Sequence, residues 1–131
     1  MNRLRLPLMA MLAFCLLVGC GSLDKTGVYQ GDKFLYDSEL AITTSYDVIH
    51  AYVTWEKNNR AALVKYPEIT KSADVMRLKA KQWFATANAL HDAYKADPSA
   101  ANKTAFQTIL DELRAAITEA TGYMLKTTKP T

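Results

Sequence analysis

The residues of this chain whose types and spacing come closest to a known chemistry are an aspartate and a histidine three positions apart. Asp47 and His50 have the spacing with which helical-bundle metalloproteins place two ligands on one face of a helix. On a helical projection both lie on the polar side of their helix, whereas a metal site in a bundle faces the interior. His91 has no acid-x-x-His pattern near it. We therefore expect no metal site and no cofactor.

Other catalytic patterns are missing from the sequence. It contains no G-x-S-x-G elbow and no glycine-rich phosphate loop. Glu112 and Glu119 are seven residues apart, a spacing typical of a solvated helix face rather than of paired catalytic carboxylates. The chain is predicted not to be an enzyme.

Two charged residues interrupt an otherwise apolar helix face. Glu56 and Arg60 are spaced as an i, i+4 ion pair. If the chain turns at Pro67, Glu56 comes level with about position 78, beside Arg77, and Arg60 comes level with about Asp74. We expect these four side chains to form an internal charge arrangement that sets the register of two helices. The alternative is a polar binding patch made of the same four residues.

The elements that must position these residues are three helices. The clearest signal is a heptad pattern between residues 69 and 94, where apolar residues recur in alternating steps of four and three. One column of this stripe is large and the other is small until Tyr94 closes it: Ile69, Met76, Trp83 and Leu90 against Ala73, Ala80 and Ala87. We expect the stripe to face two neighbouring helices.

Capping and breaking residues delimit the first two helices. Asp32 is placed to cap the first helix, which is predicted over residues 33–65. Pro67 ends that helix and can open the second one, because proline disfavours helical geometry in the residue before it and suits a first helical turn. The second helix is predicted to reach about residue 96.

The third helix is predicted over residues 99–126. Asp97 is placed to cap it, Pro98 suits its first position, and Gly122 is expected to fray it or end it early. The three helices have comparable lengths and short connections. Residues 32–131 are therefore predicted to form an all-α, antiparallel up-down-up three-helix bundle.

The predicted helix levels place particular side chains inside and at the edge of the bundle. Counting from the two turns puts Trp83 beside Tyr52 and Leu113, so this trio is expected at the centre of the core. Val48 and Trp55 lie near the edge of the apolar arc of the first helix. These two are the predicted partner-facing residues.

The first twenty residues carry a pattern of a different kind. Arg3 and Arg5 precede an apolar run, residues 8–18, that is too short to span a bilayer comfortably and suits the core of a secretory signal. The run ends in Leu17–Cys20, a stretch that resembles the lipobox of bacterial lipoproteins.

The resemblance implies an anchor and a location. Residues 1–19 would be a signal peptide that is removed, and Cys20 would become an acylated first residue held in a membrane. Gly21, where an aspartate often marks inner-membrane retention, implies an outer-membrane protein facing the periplasm. Residues 20–31 are then the acylated cysteine and a flexible tether. An ordinary signal peptide or an uncleaved anchor is the alternative.

The net charge and the positions of the cysteines argue against two classes of function, nucleic-acid binding and thiol chemistry. The formal charge of +3 falls to +1 without Arg3 and Arg5, which is too balanced a surface to indicate nucleic-acid binding. Cys15 lies in the signal and Cys20 carries the lipid, so the mature domain has no free thiol. We expect a lipid-anchored helical module that binds an envelope protein or itself. A small carrier that holds an apolar ligand within the bundle is the alternative.

Overall fold

The computed structural model describes residues 31–128, so the predicted signal peptide, Cys20 and all but the last residue of the tether lie outside it. The described residues form three α-helices joined by two short connections. The first connection contains a 3₁₀ turn, Ala62–Lys65. The helices are α1 (Lys33–Asn59), α2 (Pro67–Ala96) and α3 (Ala100–Thr128).

Each helix packs against both of the others. Phe34 at the start of α1 meets Tyr94 at the end of α2, and Arg60 just after α1 meets Asp74 near the start of α2. Lys126 near the end of α3 meets Glu68 at the start of α2. Consecutive helices therefore run antiparallel, and the predicted all-α three-helix bundle is confirmed.

Asp32 caps α1, as its position predicts. One carboxylate oxygen, Oδ1, accepts hydrogen bonds from the backbone N–H groups of Phe34 at 2.8 Å and Leu35 at 3.3 Å. The other oxygen, Oδ2, accepts a hydrogen bond from the Tyr94 hydroxyl at 2.7 Å, and this bond is the main cause of the lowered pKa of Asp32. The cap thus also ties the start of α1 to the end of α2.

The first helix ends six residues before the predicted position. The helical pattern stops at Asn59, and the 3₁₀ turn that follows brings Leu63 into the core. No glycine or proline stands between residues 59 and 66 to mark this change. The end of α1 at Asn59 is thus followed directly by a turn that buries Leu63.

Two predictions about α3 are wrong. Asp97 does not cap it: the Ser99 hydroxyl accepts a hydrogen bond from the backbone N–H of Asn102 at 3.3 Å, while the N–H of Asp97 closes α2 by bonding the carbonyl of Ala93. Gly122 does not end it either, since α3 continues to Thr128. One glycine does not end a helix of this length, because packing of the apolar face stabilises the helix on both sides of it.

The core runs the length of the bundle between the three helices. Its buried apolar members include Val48, Ile49 and Tyr52 of α1, Ile69, Ala73, Met76, Ala87 and Tyr94 of α2, and Phe106, Leu110, Leu113, Ala120 and Met124 of α3. Trp83 is only half-buried, so the predicted Tyr52–Trp83–Leu113 centre is wrong.

The geometry of a straight helix explains why Trp83 leaves the core. A strict seven-residue repeat drifts by about 20° per heptad around a helix of 3.6 residues per turn. By the third and fourth heptads the large column has rotated outward, so Trp83 and Leu90 are half-buried. Ala87 and Tyr94 of the other column have rotated to the angular position that Ile69 and Met76 hold earlier in the helix, and both are buried.

Candidate functional site

The four charged residues singled out by the sequence do come together between α1 and α2. Arg60 donates two hydrogen bonds to the Glu56 carboxylate, from Nε to Oε1 at 2.8 Å and from Nη2 to Oε2 at 3.2 Å. Arg77 donates to the same carboxylate and to the carbonyl of Val53. Asp74 accepts from Arg60 at 2.9 Å and from Arg77 at 2.6 Å. Both pairings predicted from reflection about Pro67 are confirmed.

Hydrogen bonds from the two arginines favour the ionised form of Glu56. The Glu56 side chain is 0 % exposed. Burial alone raises the pKa of its carboxyl group, but the hydrogen bonds from Arg60 and Arg77 outweigh burial and hold that pKa below its ordinary value. The bond to Glu56 in turn raises the pKa of Arg60. Glu56 is therefore a carboxylate at neutral pH.

The four side chains of this cluster form hydrogen bonds with one another. Both oxygens of Glu56 and one oxygen of Asp74 accept hydrogen bonds from the two guanidinium groups. A ligand would have to displace these charge-assisted bonds before it could bind. The geometry therefore favours the structural interpretation, in which Glu56 and Arg77 fix the register of α1 against α2.

The two predicted partner-facing residues have different surroundings. Val48 is 4 % exposed and belongs to the core, so the prediction that it faces a partner is wrong. The reason is the breadth of the buried side of α1, which faces both α2 and α3 and includes the edge position of Val48. Trp55 is partly buried and stacks on Tyr52 with ring centroids 6.0 Å apart. Its role toward a partner stays a prediction.

The histidines occupy separate environments. His50 is exposed on α1 and stacks on Tyr46. His91 contacts the Glu39 carboxylate at 2.9 Å and the Asp92 carboxylate at 3.0 Å. Among residues 31–128, no three His, Cys, Asp or Glu side chains converge in a way that could hold a metal ion.

An exposed apolar surface on α2 was not predicted from the sequence. We call it the outer face of α2: Val75, Leu78, Ala85 and Ala89. Leu78 is 83 % exposed and Val75 is 40 % exposed, and Val64 of the 3₁₀ turn, 77 % exposed, borders the same surface depression of about 510 Å³. The signal was present in the sequence, because positions 75, 78, 82, 85 and 89 also follow steps of three and four. Gln82 interrupts this second stripe.

A groove between α1 and α2 lies beside one residue of the small alanine column. It has a volume of about 410 Å³, and Ala80 contributes to its floor together with Ile49, Val53, Met76 and Phe84. His50, Arg77 and Lys81 also line it. The small side chain of Ala80 leaves space here that a larger residue would fill.

Comparison with known proteins adds no family to this description. No protein-family model, no curated protein and no solved structure matches the chain. Within the described part of the chain, none of the helices combines the length and the hydropathy that crossing a bilayer requires.

Proposed function

We propose that this chain is a lipid-anchored protein of the cell envelope whose helical bundle acts by binding and not by catalysis. The lipobox-like Leu17–Cys20 supports the anchor, although it lies outside the described residues. Acylation of Cys20 would hold the bundle at the membrane, and Gly21 favours an outer-membrane location facing the periplasm. No cofactor or nucleic acid enters this proposal.

The observation that carries the binding role is the outer face of α2. A leucine that remains 83 % exposed beside exposed Val64 and Val75 forms a contiguous apolar surface that the bundle itself does not cover. Such surfaces on small proteins mark interaction sites more often than isolated apolar residues do. The charge cluster around Glu56 has a structural role in this proposal, because it fixes the register of α1 against α2.

Replacement of Cys20 tests the anchor. In Cys20→Ala, we expect no acylation and no lipoprotein-type cleavage, so the precursor should keep residues 1–19. Metabolic labelling with a fatty-acid probe and the mobility of the labelled protein measure both. A mature membrane-bound species of unchanged mobility in this variant would refute the anchor.

Crosslinking in the native envelope tests the binding role. A photo-reactive amino acid at Leu78 should give adducts with a component of the envelope, which mass spectrometry identifies. The matched control is the same amino acid at Gln107, an exposed position on α3. Equal yields from both positions would show that the outer face of α2 has no special partner.

The groove beside Ala80 favours one second candidate function, a small carrier for an apolar ligand. Its floor is apolar and its volume of about 410 Å³ suits part of an acyl chain or a small apolar molecule. Ala80→Phe should fill the groove, so lipid that copurifies with the native protein should be lost from the variant. Absence of any copurifying apolar ligand from the native protein would remove this alternative.

A further inference from the structure

The outer face of α2 combines exposed apolar side chains with a basic border. We propose that this face lies against the anionic headgroups of the membrane to which the chain is anchored. The proposal rests on the proposed lipid anchor and names the surface that the bundle binds. Its apolar centre is Leu78 with Val75 and the adjacent Val64.

Four exposed lysines lie near this apolar centre. Lys65 follows Val64 in the chain, and Lys71 lines the depression that contains Val64 and Leu78. Lys79 lines the groove toward α3 and Lys81 lines the groove toward α1. Among residues 31–128, none of these four makes a salt bridge within 4 Å, since the ion pairs of the described bundle involve other cations. Long lysine side chains can lay their aliphatic stems along an apolar surface and extend their ammonium groups to lipid phosphates.

The Asp74 carboxylate, which lines the depression beside Leu78, is already paired with two arginines. Asp74 would oppose binding to an anionic surface if its charge were free, but Arg60 and Arg77 both donate hydrogen bonds to its Oδ1. Glu112 and Glu119 of α3 line the groove between α2 and α3 together with Lys71, Val75 and Lys79. Among residues 31–128, neither glutamate forms a salt bridge with these lysines within 4 Å. The outer face of α2 is therefore apolar at its centre and flanked by unpaired lysines, and glutamates approach it on the side of α3.

The charge pattern argues against a second copy as the occupant. In a twofold dimer built on this face, Lys71, Lys79 and Lys81 of each copy would approach the same three lysines of the other. Like charges brought together in this way oppose association. A symmetric dimer would give Leu78 an apolar contact but would bring the lysines of both copies together. An anionic bilayer offers both an apolar interior for Leu78 and negative charge for the lysines.

The length of chain before α1 allows this orientation. Eleven residues separate Cys20 from Asp32, and an extended chain of that length spans up to about 40 Å. Arg77 bonds the carbonyl of Val53, so Leu78 lies level with the second half of α1, about 30 Å along the helix from its start. A bundle lying flat on the bilayer can therefore place Leu78 at the headgroups while the anchor stays inserted.

A spin label at Leu78 tests the proposal in the full acylated chain. The mature protein has no other free thiol, so Leu78→Cys accepts a nitroxide label and Gln107→Cys on α3 provides the control. Both proteins are reconstituted into vesicles of phosphatidylethanolamine with a quarter of phosphatidylglycerol. We expect the label at position 78 to be accessible to oxygen and shielded from a water-soluble nickel chelate, whereas the label at position 107 reports water.

Neutralising the lysines should release the face without removing the anchor. Because each lysine near an anionic surface contributes roughly a fivefold factor, the triple variant Lys71→Gln, Lys79→Gln, Lys81→Gln should lower the docked-to-free ratio about a hundredfold. The matched control is Lys57→Gln, Lys95→Gln, Lys103→Gln, which removes the same charge from other exposed positions. Vesicles without phosphatidylglycerol should release the face as the first triple variant does.

The outcomes separate this inference from the anchor on which it rests. A label at position 78 that stays in water on anionic vesicles, with the protein still floating with them, overturns the surface proposal and leaves the anchor intact. Spin–spin broadening between labels at position 78 overturns it in favour of a second copy. A processed chain without acyl groups refutes the anchor, and direct binding of that chain to the same vesicles then decides the surface proposal.

Discussion

The two faces of α2 carry similar apolar spacing and meet different surroundings. The inner face presents Ile69, Met76 and Ala87 to α1 and α3, and all three are buried. The outer face presents Leu78 and Val75 to solvent. Steps of three and four therefore do not decide which side of a helix faces the core.

Size and flanking charge distinguish the two faces. The inner stripe continues for nearly four heptads, whereas the outer stripe has Gln82 at its middle and ends in two alanines. The cations differ as well: Arg77 reaches inward to Glu56 and to the carbonyl of Val53, while Lys81, one turn later, stays exposed. The inner face is built for stability, and we propose that the outer face is used for contact with the membrane.

The largest expected effect comes from the arginine that reaches inward. Arg77→Met leaves the buried Glu56 carboxylate with Arg60 as its remaining cation. Breaking a fully buried ion pair costs about 3–5 kcal/mol, and because the Arg77 side chain is 31 % exposed, we expect a smaller loss, about 1–3 kcal/mol. Lys81→Met should change the free energy of unfolding by less than about 0.5 kcal/mol. Urea unfolding of both variants measures the difference.

A double-mutant cycle and a pH series sharpen the same comparison. Glu56→Gln combined with Arg77→Met should show a coupling energy of at least about 1 kcal/mol. Since the pKa of Glu56 is lowered in the folded state, its ionised form stabilises the bundle above the ordinary pKa of 4.5, and this contribution disappears as the pH falls through the lowered value. The difference between native protein and Glu56→Gln should therefore shrink in acid. A pH-independent difference with zero coupling would contradict the register role.

Alanines on the two faces provide the second comparison. Ala87 is fully buried on the inner face, and Ala85 is exposed on the outer face. Ala87→Leu should cost about 1–3 kcal/mol because added bulk has no space between the helices. Ala85→Leu should leave the melting temperature nearly unchanged. Ala80→Leu should fall between them, since Ala80 is half-buried and borders the groove of about 410 Å³. Equal effects at all three positions would show that the inner face is not closely packed.

Sequence reasoning succeeded where antiparallel geometry alone decides a contact. Two helices joined by a short turn meet at positions that are reflections of each other, so the partners of Glu56 and Arg60 could be derived by counting from Pro67. It failed for Trp83, because rotation of the helix accumulates along its length and counting levels ignores it. The end of α1 was missed because Leu63 continues the apolar pattern through a 3₁₀ turn.

The outer face was missed for a different reason. Once one apolar stripe of a helix has been assigned to the core, a shorter stripe on the opposite side looks like scattered surface residues. The exposure of Leu78 and Val64 becomes visible only when the positions of the other helices are known. Binding surfaces of this kind depend on what the fold leaves uncovered.

Removal of a buried hydroxyl group that bonds the backbone of α2 should lower the stability of the bundle moderately. The Tyr52 side chain is fully buried, and its hydroxyl donates a hydrogen bond to the carbonyl of Ile69 at 3.0 Å. Burial raises the pKa of this tyrosine to about 12, so the hydroxyl keeps its proton at neutral pH. Tyr52→Phe should cost about 1 kcal/mol, measured by thermal unfolding, and Tyr46→Phe on the exposed side should cost little. A larger loss at position 46 would contradict the assignment of these two residues.

The smallest expected effect on stability is at the centre of the outer face. Leu78→Gln keeps a side chain of similar helix propensity and removes an apolar group that is already in water. The free energy of unfolding in solution should therefore change by less than about 0.5 kcal/mol, whereas Met76→Gln, two residues earlier on the inner face, places an amide in the core and should cost several times more. Urea unfolding gives both values. On anionic vesicles, by contrast, Leu78→Gln should have a large effect, because glutamine cannot enter the bilayer interface as leucine does. We expect this variant to lose the docked orientation and the control Lys95→Gln to keep it. A clear loss of stability in Leu78→Gln without vesicles would mean that Leu78 packs against the bundle, and the outer face of α2 would then be part of the scaffold.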